Sequence, residues 1–166
     1  IVNPLDAAVV TVGEFKAGHA MNVIADYADL KGTIRYFNPQ LEKTIGDRLE
    51  TIVSGICQSY GASYKLDHVH LYPPTINDPA MAELVRSVAE ATIETPLGVM
   101  PECQTMGSED MSFFLREVPG CYFFLGSANP YFDLAYPHHH PRFNFDETAL
   151  AMGVEMFVRC VEKYLA

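Results

Sequence analysis

The sequence is poor in basic residues. It contains 11 lysine and arginine residues against 21 aspartate and glutamate residues, and its formal net charge is -10 at pH 7. A protein that binds nucleic acid needs clustered lysine and arginine side chains that contact the phosphates. The composition therefore argues against nucleic acid as a partner.

The sequence also lacks closely spaced cysteines and long apolar runs. Its four cysteines are far apart and form no C-x-x-C pair, so we expect buried free thiols rather than a disulfide framework. No apolar run approaches the ~20 residues of a membrane helix, and no signal peptide is visible. These features predict a folded cytoplasmic protein with no membrane partner. Because the chain begins at Ile1, upstream sequence that includes a signal stays an open alternative.

The first half of the chain predicts an antiparallel sheet covered by one helix. Residues 8–15 are rich in β-branched side chains, and residues 27–37 alternate large and polar side chains, as neighbouring strands do. Asn38 and Pro39 then predict the start of an amphipathic helix that ends near Gly61. Residues 62–72 alternate again, which predicts a third strand.

Prolines separate this half from a second one. Three prolines fall within residues 72–79, and we place a domain boundary there, between residues 1–75 and residues 76–166. Asp78 predicts the cap of a helix that runs to about Ile93. A short helix should follow residues 107–110 and end near Glu117. The apolar residues 120–126 predict a buried strand, and Asp146 should cap a final helix.

A histidine triplet, His138 to His140, lies in the loop before that final helix. Adjacent side chains of an extended loop point in opposite directions, so the middle imidazole could face a site while its neighbours face away. A surface loop without a ligand role is the alternative. The sequence has no second cluster of histidine, cysteine and acidic residues at metal-ligand spacing, and one histidine cannot hold a catalytic ion alone. The triplet therefore indicates one part of an active site.

Seven short motifs resemble, in order, the carboxy-terminal part of M20-type metallopeptidases. They are Val-Thr-Val-Gly at 10–13, Asn-Val-Ile at 22–24, Gly-Thr-Ile-Arg at 32–35, Tyr-Pro-Pro-Thr at 72–75, Met-Gly-Ser-Glu-Asp at 106–110, Phe-Leu-Gly at 124–126 and His-His-Pro-Arg-Phe at 139–143. The sequence is most similar to the amidohydrolase branch, which includes hippurate hydrolases, N-acyl-amino-acid amidohydrolases and plant enzymes that cleave auxin conjugates.

The resemblance implies an α/β fold with an α+β lid. Residues 1–75 would form a partial βαββαβ, ferredoxin-like lid and dimerisation domain, incomplete at its amino terminus. Residues 76–166 would form the carboxy-terminal portion of the di-metal α/β peptidase domain. The expected assembly is a homodimer through the lid.

The resemblance also implies metal-dependent hydrolysis of the amide bond of N-acyl amino acids by a longer parent protein. The intact enzyme would hold two divalent metal ions, Zn or Mn, with Co or Ni as alternatives. The family's paired glutamates and its other metal ligands have no counterpart here, so this segment would contain no catalytic residue and be inactive alone. A non-catalytic dimerisation or binding module, or an M20 dipeptidase or carboxypeptidase, is the alternative.

Five residues match functional positions of the family. His139 corresponds to a metal ligand, and Asn22 and Arg35 correspond to lid residues that meet the substrate, often across the dimer. An asparagine amide and an arginine guanidinium suit a substrate carboxylate, and they could converge. Gly107 and Ser108 would contact that carboxylate or the metal-site loop through backbone N–H groups. The alternatives are a turn-stabilising Asn22, a solvent-facing Arg35 and a Ser108 that caps a helix.

Overall fold

Two strands and four α-helices form a mixed α/β structure in the computed structural model, which describes residues 2–93, 98–100 and 102–166. The chain divides into two compact units. Unit 1 contains Ile1–Pro74 with Met106–Glu109, and unit 2 contains Thr75–Thr105 with Asp110–Ala166. The assignment of lid and catalytic roles to these parts of the chain stays a prediction.

The two predicted strands of unit 1 are confirmed as an antiparallel hairpin. β1 spans Ala8–Ala17 and β2 spans Ala28–Tyr36, with Val9 opposite Arg35 and Ala17 opposite Ala28. The register shifts between Val12 and Glu14, which is a β-bulge at the intervening glycine. The hairpin therefore places the end of β2 beside the start of β1.

The first helix begins later than the sequence predicts. α1 spans Leu41–Ser59, and Gln40, at its N-cap position, makes no side-chain cap. Asn38 instead closes the preceding turn: its side-chain oxygen accepts from the Gln40 N–H at 3.0 Å and its carbonyl accepts from the Leu41 N–H at 3.0 Å. Gly61 has a left-handed φ of 64° just beyond the helix, which is why a glycine ends it.

The third strand predicted at residues 62–72 is wrong. The structure describes all of these residues, and none of them belongs to the sheet. This segment lies along α1 instead. Tyr64 donates to Glu50, the His68 ring lies next to Gly46, and His70 pairs with Glu42. Alternation predicts side-chain direction, but a strand also needs a neighbour that accepts its backbone hydrogen bonds. The side chains of α1 are the neighbours here.

Unit 2 is built on two helices. α2 spans Pro79–Thr92, and the predicted cap is confirmed, because the Asp78 carboxylate accepts from the Ala80 and Met81 N–H groups at 3.0 Å each. α4 spans Thr148–Leu165 and packs on α2. Met156, only 2% exposed, fills the core. Its buried and partly buried neighbours are Leu84, Val85, Val88, Ala89, Ile93, Val99, Phe123 and Cys160.

The predicted strand at 120–126 is not a strand in the described structure. The side chain of Asn77 makes the hydrogen bonds that a neighbouring strand would make. Its Nδ2 donates to the Tyr122 carbonyl at 2.8 Å, and its Oδ1 accepts from the Tyr122 N–H at 2.8 Å. The Phe123 ring packs 5.7 Å from Phe157 on α4. The apolar run therefore supplies core contacts without forming a ladder.

Among the described residues, the sheet has only two strands, so the complete ferredoxin-like arrangement stays a prediction. The short helix predicted to end near Glu117 is confirmed as α3, Met111–Glu117. All four cysteines are free, as predicted, but Cys103 is exposed and the other three are only partly buried. In the described part of the chain, no helix combines the length and the apolar character needed to span a membrane.

Candidate functional site

Arg35 and Ser108 meet within unit 1. Arg35 lies near the end of β2, and its guanidinium donates to the Met106 carbonyl and, at 3.4 Å, to the Ser108 hydroxyl. Gly107 lies between these two partners. A guanidinium placed here can bind a carboxylate through its planar fork. The structure therefore brings three of the predicted substrate residues together, Arg35, Gly107 and Ser108.

Asn22 lies elsewhere in the same unit. It is an exposed residue in the connection between β1 and β2, in a turn where the Val23 N–H donates to the Ala20 carbonyl at 3.4 Å. Arg35 is at the opposite end of β2, about 24 Å along the strand from the hairpin connection. Asn22 and Arg35 therefore do not converge within one chain, because the hairpin register separates them.

Ser108 is not at the N-cap position of α3. That position is Asp110, without a side-chain cap, and the helix begins at Met111. The Ser108 hydroxyl is turned toward Arg35 instead.

His139 lies in unit 2 at the tip of a tight turn rather than in an extended loop. The His140 N–H donates to the Pro137 carbonyl at 3.2 Å, which closes the turn, and His139 has a left-handed φ of 67°. Few residues other than glycine adopt this backbone conformation, and such residues cluster at functional sites. The side chain of His139 is exposed, as are those of His138 and His140.

The two outer histidines are held by aromatic rings. His138 packs edge-on against Phe143 with ring centroids 4.9 Å apart, and His140 stacks on Tyr136 at 4.6 Å with an angle of 16° between the rings. Within the described residues, His139 is the one member of the triplet without a ring contact. The structure therefore separates the middle imidazole from its neighbours.

A charged and aromatic group contributed by residues on both sides of the turn lies next to it. We call Asp133, Tyr136, His140 and Arg142 the Tyr136 cluster. The Arg142 guanidinium lies 4.3 Å from the centre of the Tyr136 ring and pairs with Asp133, while its backbone N–H donates to His140 Nδ1 at 3.1 Å. Desolvation raises the pKa of the Tyr136 phenol, and the neighbouring Asp133 carboxylate adds to the effect.

The base of the histidine loop is closed by Asn129 and Asp146. The Asn129 amide donates to the Asp146 carboxylate at 2.6 Å, and the Asp146 N–H donates to the Ser127 carbonyl at 2.9 Å. Asp146 also accepts from the Thr148 N–H and hydroxyl at the start of α4, at 3.0 and 2.7 Å. The helix thus begins one residue later than predicted, with Glu147 at its N-cap position and no side-chain cap there, while Asp146 ties the loop to the first helical residue.

These hydrogen bonds predict a dependence of stability on pH. The Asn129 amide, followed by the Thr148 hydroxyl and N–H, lowers the pKa of Asp146. Because the folded pKa lies below the unfolded value of about 3.9, the stabilisation is present above that value and is lost as the pH falls through the folded pKa. The difference in Tm between wild type and Asp146→Asn should therefore be largest at neutral pH and shrink below about pH 4.

Glu117→Gln, which removes one exposed carboxylate at the end of α3, controls for the change in net charge. Thermal unfolding of all three proteins from pH 2.5 to 7 measures the effect. A difference between wild type and Asp146→Asn that stays constant across this range would contradict the prediction.

Neither the contacts of the Tyr136 cluster nor the role of Asn129 was expected from the sequence. The sequence does contain a turn signal at Asn129, since Asn-Pro at 129–130 favours the start of a turn, and a turn of 3₁₀ helix follows at Pro130–Phe132. The contact between Tyr136 and Arg142 has no such signal, because nothing in their spacing predicts a ring contact inside an irregular loop.

His139 fits a metal as one ligand of a larger set. A neutral imidazole is a ligand for Zn, Mn, Co and Ni. Among the described residues, however, no group of three or more histidine, cysteine, aspartate or glutamate side chains is arranged to hold an ion. The described part of the chain therefore offers a ligand and not a complete site.

Comparison with known sequences identifies relatives that are hydrolases. A sequence model of the family described as Peptidase family M20/M25/M40 matches residues 5–163. The Bacillus subtilis protein YhaA, provisionally named an amidohydrolase, is 36% identical over 98% of the chain and 41% of its own length. An N-acetyldiaminopimelate deacetylase of Anoxybacillus flavithermus is 34% identical over 96% of the chain and 40% of its own length. Thermostable carboxypeptidase 1 of Saccharolobus solfataricus is 33% identical over 92% and 38%.

A solved structure has the same fold. Bacillus subtilis YxeP, described as a dinuclear metal-binding peptidase of the M20 family, matches with a TM-score of 0.77 and 27% identity over 92% of this chain and 40% of its own. The chain spans about two fifths of the length of the relatives it matches.

Proposed function

Because the chain belongs to the peptidase family M20/M25/M40, we propose that it is part of a metal-dependent hydrolase that cleaves the amide bond of N-acyl amino acids. The activity belongs to a longer parent protein, to which this chain contributes one metal ligand and the residues that bind substrate. The products are a carboxylic acid and a free amino acid. The observation that carries the proposal is His139, an exposed imidazole in a strained turn whose two neighbours are held elsewhere.

The names of the relatives support an acylated amino acid as the substrate. An amidohydrolase and a deacetylase both act on amides, and the deacetylase is named for N-acetyldiaminopimelate, which is an N-acetylated amino acid. The carboxypeptidase relative, at 33% identity, is the specific observation that favours a second candidate, hydrolysis of a peptide bond by the same scaffold. Both reactions present an amide next to a free carboxylate.

His139 is the proposed metal ligand. Two divalent ions, Zn or Mn with Co or Ni as alternatives, are proposed by analogy with the dinuclear relative YxeP. Divalent ions in such sites lower the pKa of bound water and polarise the carbonyl that is attacked. His139 holds one ion through its imidazole, which, unlike those of His138 and His140, makes no ring contact among the described residues.

Arg35 is proposed to bind the substrate's carboxylate, with Gly107 and Ser108 beside it. The Ser108 hydroxyl and the Met106 carbonyl orient the guanidinium, which is preorganised before substrate arrives. Preorganisation lowers the conformational entropy that the side chain loses when substrate binds. The role is consistent with a partly buried Arg35 at the end of a strand.

Asn22 is proposed to contact substrate from a second copy of the chain. An N-acyl amino acid is far shorter than the roughly 24 Å of strand that separates Asn22 from Arg35 in one chain. If both side chains bind one substrate, they belong to different protomers. The proposed enzyme is accordingly a homodimer, and its proposed location is the cytoplasm.

The test is hydrolysis of N-acetyl and N-benzoyl amino acids by the intact parent, metal-stripped and then reloaded with Mn or Zn. Free amino acid released only after reloading supports the proposal. Matched N-acyl amines without the carboxylate should be much poorer substrates, because Arg35 has nothing to bind. Turnover of dipeptides alone would favour the carboxypeptidase candidate, and a folded dimer without turnover would favour a non-catalytic binding module.

A further inference from the structure

The Tyr136 cluster encloses the turn that carries His139 from one side. Tyr136 immediately precedes the turn, and His140 is the last residue of the turn. Their stacked rings, 4.6 Å apart, therefore connect the residue that enters the turn with the residue that leaves it. The two residues between Pro137 and His140 are His138 and His139, so the ring pair limits the conformations open to both.

Arg142 holds this ring pair in place. Its guanidinium lies over the Tyr136 ring at 4.3 Å, and its backbone N–H donates to Nδ1 of His140 at 3.1 Å. The hydrogen bond fixes the orientation of the His140 ring, and the cation contacts the partner ring of the stack. Asp133 pairs with the guanidinium and thereby holds Arg142 in position. Each of the four residues contacts another member of the cluster.

We propose that the Tyr136 cluster is the positioning element for His139: the ring stack holds the turn in the left-handed conformation that presents the His139 imidazole to the metal. Tyr136 joins the ring stack to the cation, because it contacts both His140 and Arg142. This inference rests on the proposed role of His139 as a metal ligand. The Tyr136 side chain acts through His139 and does not touch the ion.

The physical reason is the backbone conformation of His139. Left-handed φ values are unfavourable for residues with a side chain, so the turn persists only where surrounding contacts hold it. Without the ring stack, the turn would relax among other conformations, and the imidazole would be in the binding orientation for only part of the time. A ligand that is correctly oriented in a smaller fraction of molecules binds its ion more weakly by that fraction.

The test measures Co²⁺ binding to the metal-stripped, full-length parent by the visible absorption of the bound ion. His139→Ala first identifies the binding step that depends on His139. Tyr136→Ala should weaken that same step about 10- to 100-fold, the range found when groups that orient metal ligands are removed. Tyr136→Phe keeps the ring and should bind within about twofold of wild type. Tyr131→Ala is the matched control, since Tyr131 lies in the same loop and is 94% exposed.

A double variant separates positioning from a general loss of structure. In the His139→Ala background, Tyr136→Ala should cause no further loss of Co²⁺ affinity, because the residue acts only through His139. A similar loss in both backgrounds would overturn the proposal. If Tyr136→Ala does not fold, Tyr136→Leu, which keeps apolar bulk without an aromatic face, should show the same weakening.

Co²⁺ binding distinguishes the ligand role of His139 from the positioning role of Tyr136. Unchanged Co²⁺ binding in His139→Ala would refute the ligand role of His139 and the positioning role with it. Weakened binding in His139→Ala combined with wild-type binding in Tyr136→Ala or Tyr136→Leu would refute the positioning role alone.

Discussion

Replacing His139 with alanine in the parent protein is expected to lower kcat/KM for N-acyl amino acids by at least about 100-fold, because loss of a ligand costs no less than loss of the groups that orient it. The reduction should be visible with either Mn or Zn, since an imidazole is a ligand for both. Steady-state release of free amino acid, measured across metal concentrations, gives the value. Added metal should restore only part of the activity.

His138→Ala is the matched control for this variant. It removes an imidazole from the same turn, but the lost contact is the edge-on packing against Phe143, 4.9 Å away. We expect kcat/KM to fall by less than about tenfold, below the range for groups that orient a metal ligand, because His138 does not belong to the Tyr136 cluster. Equal losses in the two variants would mean that the turn matters as a whole and that His139 has no special role. A His139→Ala enzyme with wild-type activity would show that His139 is not a metal ligand.

Local rules account for the parts of the fold that the sequence predicts well. Asp78 followed by Pro79 begins α2. The Asp78 carboxylate accepts hydrogen bonds from two N–H groups of the first turn, and proline has no N–H group that would need an acceptor there. The β-branched and alternating residues of β1 and β2 form a hairpin, whose two strands are each other's partners. In both cases the interacting groups come from the same segment or from the strand next to it in sequence. A local sequence pattern is therefore sufficient to predict the element.

Segments whose partners come from elsewhere were predicted less well. Residues 62–72 and 120–126 have the composition of strands, but their contacts are side chains of α1 and of Asn77. The same limit applies to Asn22 and Arg35. Thirteen residues apart in sequence, they could be neighbours or lie at opposite ends of a hairpin, and only the register decides.

For the candidate metal ligand, the sequence predicts the residue but not its backbone conformation. The triplet and the Pro-Arg-Phe that follows single out His139 from the sequence, whereas an extended loop was the wrong conformation for it. Its presentation depends on a backbone hydrogen bond from His140 and on rings contributed by Tyr136 and Phe143. Contacts of this kind depend on the three-dimensional course of an irregular loop, which no periodic pattern encodes.

The hairpin that carries Arg35 should be highly sensitive to a methyl group at Gly32. A Cβ atom at this position would overlap the carbonyl oxygen of Thr11 on the neighbouring strand and lie 3.2 Å from its carbonyl carbon. The obstacle is backbone, which cannot rotate away as a side chain could. Gly32→Ala should therefore lower the free energy of unfolding of the parent by about 3 kcal/mol, the upper part of the range for overpacking.

Gly13→Ala is the matched control within the same hairpin. A Cβ atom at Gly13 meets nothing within 4 Å, and Gly13 does not have a left-handed φ, so alanine should leave stability within about 0.5 kcal/mol or raise it slightly. Urea unfolding of both variants measures the contrast. Because Gly32 lies three residues before Arg35 on β2, separation of the strands should also displace the guanidinium from Met106 and Ser108 and raise KM for N-acyl amino acids. Equal stability of the two variants would mean that the strands can separate at Thr11 without cost, and the register would then be a weak constraint on the position of Arg35.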